Sequence, residues 1–167
     1  MNQIISIRSE SSDDVNEIEN IIIEAFKNHP HSNQTEHEIV TNLRDNNALA
    51  VSLVAIINNT IVGHIAFSEV KINNEFVKWY GLAPVSVKPE YQNQGIGSKL
   101  VLSGLEAIKA LNAKGCVLLG EPEYYNKFGF KAVDSLVFKG VPPEYFQALL
   151  LSGEMPLGNI EYHSAFA

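Results

Sequence analysis

Apolar residues along the chain alternate between helical spacing and nearly continuous runs. Spacing of three and four residues predicts amphipathic helices over residues 15–26, 39–43 and 95–111. Unbroken apolar runs predict buried strands over residues 4–7, 50–57, 61–72, 76–87 and 116–119. Asparagine pairs at 58–59 and 73–74 separate three of these strands, and asparagine tolerates the positive φ of tight hairpins. The pattern therefore predicts three antiparallel strands, followed by a long helix and a fifth strand.

The pattern weakens after residue 120. Residues 121–130 suit a short helix and turn, and residues 132–133 and 136–139 suit a pair of strands. Pro142 and Pro143 predict the start of a last amphipathic helix, because proline is welcome in a first helical turn. Its core-facing residues would be Tyr145, Phe146, Leu149 and Leu150, and Ile160, Tyr162 and Phe166 suit a final strand or an extended tail. The fold class is α/β of the α+β kind, with a mixed, mostly antiparallel central sheet flanked by helices.

Composition limits the function. The 167 residues suit one domain, and the net charge of −7 argues against a nucleic-acid backbone as partner and mildly favours cationic substrates. No stretch has the pattern of a signal peptide or a membrane span, so we expect a cytoplasmic protein. The single cysteine, Cys116, lies in an apolar run and is expected to be a core residue rather than a reactive thiol.

Candidate chemistry lies where the fourth strand meets the long helix. Pro89 ends the strand, because proline lacks the N–H group that a strand ladder needs. It is followed by a turn that leads into the helix, Gln92-Asn93-Gln94-Gly95-Ile96-Gly97-Ser98. The first N–H groups of a helix have no internal partner and carry partial positive charge, and glycine lets an anion approach them. This turn therefore predicts a phosphate-binding site.

Two common phosphate-binding motifs do not fit this turn. A Walker loop needs a glycine five residues before Gly-Lys-Ser/Thr, and a dinucleotide fingerprint needs a third glycine where this chain has Leu100. An ordinary strand–helix turn is the plain alternative. Residues 92–97 resemble the Gln/Arg-x-x-Gly-x-Gly/Ala motif of the GCN5-related N-acetyltransferases, with Val-x-Val-x-Pro before it and Ser-x-Leu-Val behind. The resemblance covers about residues 3–135 and implies the acyl-coenzyme A N-acyltransferase fold.

The resemblance also implies a ligand, acetyl-coenzyme A, as co-substrate. In this family the loop holds the diphosphate of coenzyme A, which here assigns that role to Gln92, Asn93, Gln94, Gly95, Ile96, Gly97 and Ser98. The fourth strand would pair through Val85, Ser86 and Val87 with the pantetheine amides, where the family's fourth and fifth strands splay apart. About residues 136–167 look like the added segment of YhbS-type acetyltransferases, within a single domain.

A second stretch, Tyr124-Tyr125-Asn126-Lys127-Phe128-Gly129-Phe130, resembles the family's Tyr-x-x-x-Gly-Phe element after the fifth strand. Counting back four residues from Gly129 reaches Tyr125, which the resemblance implies is the general acid for the leaving thiolate. Asn126 would reach the pantetheine arm. The alternative is an aromatic cluster that packs a short helix, a role for which Tyr124 is the better candidate.

The acceptor is expected to be an amine on a small molecule or peptide. Its pocket is predicted between the loop at His29 and His31 and the predicted helix at Tyr145. With His37, these histidines fit no standard metal site, so no metal is expected. Neutralising a lysine-type amine at pH 7 costs about 4.6 kcal/mol. The carboxylates weighed as its base each suit a solvated or structural role better: Glu24, Glu69, Glu121 and Glu123. A chain of waters is the other route left open for the proton.

Two functional hypotheses follow from these residues. One is an N-acetyltransferase in which the amine attacks the thioester directly, with an O-acetyltransferase or a longer acyl donor left open. The other is a non-catalytic acyl-coenzyme A sensor or partner-binding module on the same fold. Neither hypothesis needs a nucleic acid or a membrane as partner, and both leave a homodimer open.

Overall fold

Residues 4–167 are described in the computed structural model and form eight strands and four α-helices. The strands are β1 (Ser6–Ser9), β2 (Val51–Ile57), β3 (Thr60–Ile72), β4 (Glu75–Val87), β5 (Gly115–Leu119), β6 (Leu136–Val137), β7 (Phe146–Leu150) and β8 (Gly158–Glu161). The helices are α1 (Val15–Phe26), α2 (Glu36–Asp45), α3 (Ile96–Ala110) and α4 (Pro122–Tyr125). The domain boundary predicted at residue 3 lies outside the described residues.

Six strands lie side by side in the order β1-β2-β3-β4-β5-β7. Every neighbouring pair is antiparallel except β4 and β5, which run parallel. At the far end of β3, Lys71 and Ile72 pair with β8, which in turn pairs with β6. The prediction of a mixed, mostly antiparallel sheet flanked by helices is confirmed.

The asparagine pairs form the predicted turns between β2, β3 and β4. Asn58 and Asn59 have φ of 50° and 63°, and Asn73 and Asn74 have φ of 51° and 68°. The second turn also holds the C-terminal segment. Asn73 Nδ2 donates to the carbonyl of Leu157 at 3.1 Å, and the N–H of Asn159 donates to Asn73 Oδ1 at 3.0 Å. A local turn residue therefore anchors a segment more than eighty positions away.

Helices cover both faces of the sheet, and the alternation of side chains along each strand supplies both cores. The larger core lies under α3 and includes Leu53, Ile65, Phe67, Leu100, Leu105 and Ile108. The opposite face packs against α1 and α2 through Ile18, Ile22, Val40, Val54 and Ala66. Neighbours such as Ala66 and Phe67 thus serve different cores, which explains the nearly continuous apolar run of β3.

The C-terminal segment differs from its prediction. The helix predicted from Pro142 is wrong: a 3₁₀ turn, Pro143–Tyr145, leads into β7. This strand pairs antiparallel with all five residues of β5. Phe146 packs into one core and Leu149 into the other, because the free edge of β5 recruits the segment as a strand. The pairing of residues 132–133 with 136–139 is also wrong, since β6 pairs with β8.

Gly104 lies where α3 packs on β3, and a Gly104→Ala variant tests that contact. A Cβ at this position would overlap the ring of Phe67, which is fully buried. Alanine adds about 1 kcal/mol of helix propensity, but overpacking a core costs typically about 1–3 kcal/mol. Because this ring has no room to withdraw, we expect the free energy of unfolding, measured in urea, to fall by about 2 kcal/mol.

Ser103→Ala is the control, since it places the same residue at the neighbouring helix position and should change stability by less than about 0.5 kcal/mol. In a Phe67→Leu protein, which has a smaller side chain at the contact, Gly104→Ala should cost less stability than it costs in the wild-type protein. A Gly104→Ala protein as stable as wild type would show that α3 does not pack this closely.

Candidate functional site

A cavity of about 1220 Å³ opens beside the diverging ends of β4 and β5. It is lined by the α1–α2 loop, the second half of β4, the first turn of α3, α4 and the segment before β7. Most residues predicted for the site lie around it: His29, His31, Val85, Ser86, Val87, Gln92, Asn93, Gly95, Ile96, Gly97, Ser98, Tyr125 and Tyr145. The fold thus brings the predicted donor and acceptor positions to one cavity.

Gln94 and Asn126 do not line this cavity, and both are exposed. Asn126 instead stabilises its own turn, because its carbonyl accepts the N–H of Gly129 at 3.0 Å. Its neighbour Lys127 does reach the lining, with Nζ 4.0 Å from the centroid of the Tyr124 ring. Successive residues of a helical turn point about 100° apart, so spacing along the chain does not tell which of them faces the cavity.

The opening arises because β4 and β5 pair over only a short length. The register joins Trp79 to Gly115, Tyr80 to Cys116 and Gly81 to Val117, and then ends. Just beyond, Ala83 and Pro84 together face the single residue Ala66 of β3, which is a bulge. On that side β4 stays paired with β3 through Val87. Its other edge is therefore free to pair with an extended ligand along residues 85–87.

The first turn of α3 lies at the end of this free edge. Gly95 precedes the helix in the left-handed region, with φ 83°, and Asn93 has φ 63°. Gln92 Nε2 donates to the carbonyl of Val87 at 3.1 Å, which ties the turn to β4. Among the residues that the structure describes, no side chain caps the helix. Its first N–H groups are therefore available to an anion.

The two neighbouring tyrosines have different surroundings. Tyr124, the better candidate for packing under the alternative, places its hydroxyl 3.0 Å from Ser98 Oγ in the first turn of α3. Tyr125 packs edge-on against Tyr124 and Phe130, with ring centroids 4.8 and 6.1 Å apart. Burial raises the pKa of Tyr125 to about 12. Tyr125 is therefore a phenol that keeps its proton at neutral pH and lines the cavity.

The opposite wall of the cavity is aromatic. Phe26 and His29 lie with ring centroids 5.6 Å apart, and His31 follows 6.2 Å from His29. Tyr145 lines the same cavity from beside the end of β5, where its carbonyl accepts the N–H of Gly120 at 3.0 Å in the 3₁₀ turn that replaces the predicted helix. Phe166 also reaches this lining, from a 3₁₀ turn, Ser164–Phe166, where the sequence analysis expected a strand or an extended tail.

Of the carboxylates weighed as a base, Glu121 lines the cavity, whereas Glu24, Glu69 and Glu123 do not. Glu36 also lines it and was missed by the sequence analysis. Its carboxylate is already engaged, because Ser32 Oγ lies 2.8 and 2.7 Å from its two oxygens. Neither carboxylate is buried.

Three further features bear on the predicted chemistry. Cys116 is fully buried and burial raises the pKa of its thiol, so its prediction as a core residue is confirmed. Within residues 4–167, no group of three or more histidine, cysteine or acidic side chains could hold a metal ion. None of the helices in that range is long and apolar enough to span a membrane.

Comparisons with known proteins address the family. Residues 6–133 match the family model described as "Acetyltransferase (GNAT) domain". Over 110 residues the chain is 33% identical to YhbS of Escherichia coli strain K12, itself an uncharacterized N-acetyltransferase. That match covers 65% of this chain and 66% of YhbS, which is just under two thirds of its length.

Two solved structures resemble the whole chain. A GNAT family acetyltransferase from Brucella melitensis, in complex with acetyl-CoA, is 44% identical with a TM-score of 0.89, over 99% of this chain and 100% of that one. Escherichia coli YhbS in complex with CoA is 29% identical with a TM-score of 0.91, over 99% and 93%. The family model, the sequence relative and both structures thus agree, and the chain belongs to the GNAT acetyltransferase family.

Proposed function

We propose that the protein is an acetyl-coenzyme A-dependent N-acetyltransferase that moves the acetyl group to an amine by direct attack on the thioester. The observation that carries this proposal is one cavity that joins the free edge of β4, the uncapped first turn of α3 and the phenol of Tyr125. Two similar proteins of known structure hold acetyl-CoA and CoA, which supports the same donor here.

The donor fits the cavity in a definite direction. Its diphosphate meets the N–H groups of the turn at residues 92–98, where the helix end favours negative charge. Lys127, over the neighbouring Tyr124 ring, adds a cation on that side of the lining. The pantetheine arm then follows Val85 to Val87 as an added strand. The thioester consequently lies beyond that arm, in the part of the cavity shared by Tyr125 and the aromatic wall.

The chemistry needs one hydrogen-bond donor and one proton acceptor. The neutral amine forms a C–N bond to the thioester carbon, and the C–S bond breaks to release a thiolate. With a pKa of about 12 for Tyr125 and ~8.5 for a simple thiol, full proton transfer to sulfur is uphill by roughly 5 kcal/mol. A hydrogen bond from Tyr125 that strengthens as charge develops on sulfur still lowers the barrier.

The non-catalytic acyl-coenzyme A module is the second candidate. It is favoured because neither carboxylate of the cavity is placed as a general base: Ser32 hydrogen-bonds Glu36, and Glu121 is exposed to solvent. Measuring thiol release from acetyl-coenzyme A with a panel of small-molecule and peptide amines separates the two candidates. Turnover above the rate without amine supports the transferase, whereas tight donor binding with no turnover for any amine supports the sensor.

Gly97→Glu tests the diphosphate site. The carboxylate would lie in the first turn of α3, where the proposal places the phosphates, and like charges in contact cost several kcal/mol. We expect the affinity for acetyl-coenzyme A, measured by calorimetry, to fall by about 100-fold or more. Leu102→Glu adds the same charge at an exposed position of the same helix and should bind like wild type. Unchanged affinity in a folded Gly97→Glu protein would contradict the site.

Tyr125→Phe tests the hydrogen bond to sulfur. The ring stays and the hydroxyl goes, so the donor dissociation constant should change little while kcat falls by about 10²-fold, at the low end of general acid catalysis. Tyr124→Phe is the comparison: it loses the contact to Ser98 and should affect donor binding more than kcat. If Tyr124→Phe loses kcat and Tyr125→Phe does not, the roles are reversed.

Tyr145→Ala tests the acceptor side. Tyr145 lines the cavity and belongs neither to β4 nor to the turn that is proposed to hold the diphosphate. The variant should therefore raise the KM for the amine about tenfold, the effect of losing roughly 1.4 kcal/mol of contact, and leave the donor KM nearly unchanged. His31→Ala should act in the same direction. A change in donor KM alone would place the acceptor elsewhere.

A further inference from the structure

His64 of β3 is completely buried, and the chemistry above does not use it. Its Nε2 lies 2.8 Å from Ser52 Oγ on β2. The Ser52 hydroxyl also hydrogen-bonds a carboxylate oxygen of Glu10. Arg44 donates to that carboxylate from Nε at 2.9 Å and from Nη2 at 2.8 Å. A continuous chain of hydrogen bonds therefore joins a buried imidazole to an ion pair.

The direction of each hydrogen bond follows from what each group can donate. Burial alone would raise the pKa of Glu10, but the hydrogen bonds from Arg44 and Ser52 lower it, so the carboxylate is ionised and only accepts. The single hydroxyl proton of Ser52 then points to Glu10, and His64 Nε2 must donate to Ser52. Burial lowers the pKa of His64 to about 4, so the imidazole is neutral and its Nδ1 carries a lone pair.

At the His64 end of this chain of hydrogen bonds, two buried polar atoms have no hydrogen-bond partner within residues 4–167. They are His64 Nδ1 and Ser86 Oγ. His64 and Ser86 are partners in the register of β3 and β4, so their side chains are neighbours on one face of the sheet. A single water between them would satisfy both atoms.

A cavity lies at each end of this chain of hydrogen bonds. Ser86 lines the large cavity, in which the acetyl transfer is proposed. Glu10, Arg44 and Ser52 line a second cavity of about 450 Å³. The Glu10 side chain is 18% exposed there, so it can exchange a proton with solvent.

The charged groups that act on His64 are Glu10, on the segment after β1, and Arg44 of α2. Much of the same face is covered by apolar side chains, Ile18 and Ile22 from α1, Val40 from α2 and Val54 from β2. It also carries Arg8 of β1, which is paired with Asp14, and Ser68 of β3, whose hydroxyl has no partner within residues 4–167. Neither joins the hydrogen bonds of His64, so the line through Ser52 and Glu10 is the route for the proton.

We propose that Ser86, His64, Ser52 and Glu10 form a proton relay that removes a proton from the acceptor amine and releases it at the smaller cavity. The proposal rests on the transferase function proposed above. The Ser86 hydroxyl is buried, so it turns toward the large cavity to meet the ammonium. Its Oγ takes a proton from the ammonium and passes its own through the bridging water to His64 Nδ1. His64 gives its Nε2 proton to Ser52, and Ser52 gives its hydroxyl proton to Glu10.

The reaction must release one proton to solvent per turnover, and the relay provides one exit for it. An ammonium that becomes an amide loses two protons: the leaving thiolate takes one, and the other must reach solvent. After the relay has acted, Ser86, the water, His64 and Ser52 each hold as many protons as before, but His64 now carries its proton on Nδ1. Glu10 holds one more and returns it to water, which Arg44 favours because it stabilises the ionised carboxylate. Once product has left, the chain of hydrogen bonds runs in reverse, from Glu10 to water in the emptied large cavity, and this restores the Nε2–H form.

The test compares two buried serine-to-alanine variants. Ser52→Ala breaks the relay. Ser68→Ala removes a fully buried hydroxyl that has no partner within residues 4–167, on the same face of β3 but outside the chain of hydrogen bonds. The probes are two peptides, one with a single lysine and a blocked N-terminus, the other with a free α-amine and no lysine. kcat/KM is measured from pH 6 to 10.

At pH 7 Ser52→Ala should lose about 10²-fold on the lysine peptide, a loss typical of a missing general base, and less than about tenfold on the α-amine peptide. The loss on the lysine peptide should disappear as pH approaches ~10.4, where a large fraction of the lysine amine is already neutral. Ser68→Ala should follow wild type, and calorimetry should show unchanged acetyl-coenzyme A affinity in both variants.

Several outcomes would overturn the relay alone. One is a loss in Ser52→Ala that is equal for both peptides and independent of pH, which indicates a structural role. Another is Glu121→Gln showing the pH-dependent loss while Ser52→Ala does not, which assigns the base to the cavity carboxylate. Nitrogen NMR of the imidazole needs no turnover: Nε2–H supports the relay, and Nδ1–H rejects it. If no amine of the wider panel is acetylated by the wild-type protein, the proposed transferase function falls, and the relay with it.

Discussion

The short pairing between β4 and β5 is the constraint on which the functional part of the molecule depends. Backbone N–H and C=O groups need partners, and a sheet normally supplies them on both edges of an inner strand. Here the ladder ends at Gly81 and Val117, so the rest of β4 keeps only its bonds to β3. The cavity, the free strand edge and the access to the first turn of α3 all follow from that separation.

Strand β7 pairs with the edge of β5 that faces away from β4, and in this way it stabilises the separation of β4 from β5. It pairs with all five residues of β5, which therefore does not depend on β4 for its partners beyond Val117. The C-terminal segment that contains β7 also supplies four residues to the cavity lining: Val141, Pro142, Tyr145 and Phe166. These residues lie outside positions 6–133, which match the family model. The residues proposed to bind the donor thus lie in the part that matches the family model, and the segment that follows it adds further residues to the cavity lining.

Much of the fold could be predicted from the sequence because it depends on local rules. The asparagine turns, the periodic helices α1 and α3, and the glycine turn before α3 each follow from the preferences of neighbouring residues. The resemblance of residues 124–130 to the family's Tyr-x-x-x-Gly-Phe element singled out Tyr125, which does line the cavity. In each of these cases the partners lie a few positions apart, so the sequence contains both of them.

What the sequence by itself determined is this framework of local elements and the glycine turn between β4 and α3. Tertiary structure decided the rest, because the partners are distant along the chain. Residues 146–150 became a strand only because β5 offered a free edge, a pairing that outweighs the helical spacing of their apolar residues. Ser98 gave Tyr124 a polar partner across 26 positions. Glu10, Arg44, Ser52, His64 and Ser86 lie in five separate segments: strand pairing brings Ser52, His64 and Ser86 together, and the packing of α2 on the sheet adds Arg44 beside Glu10.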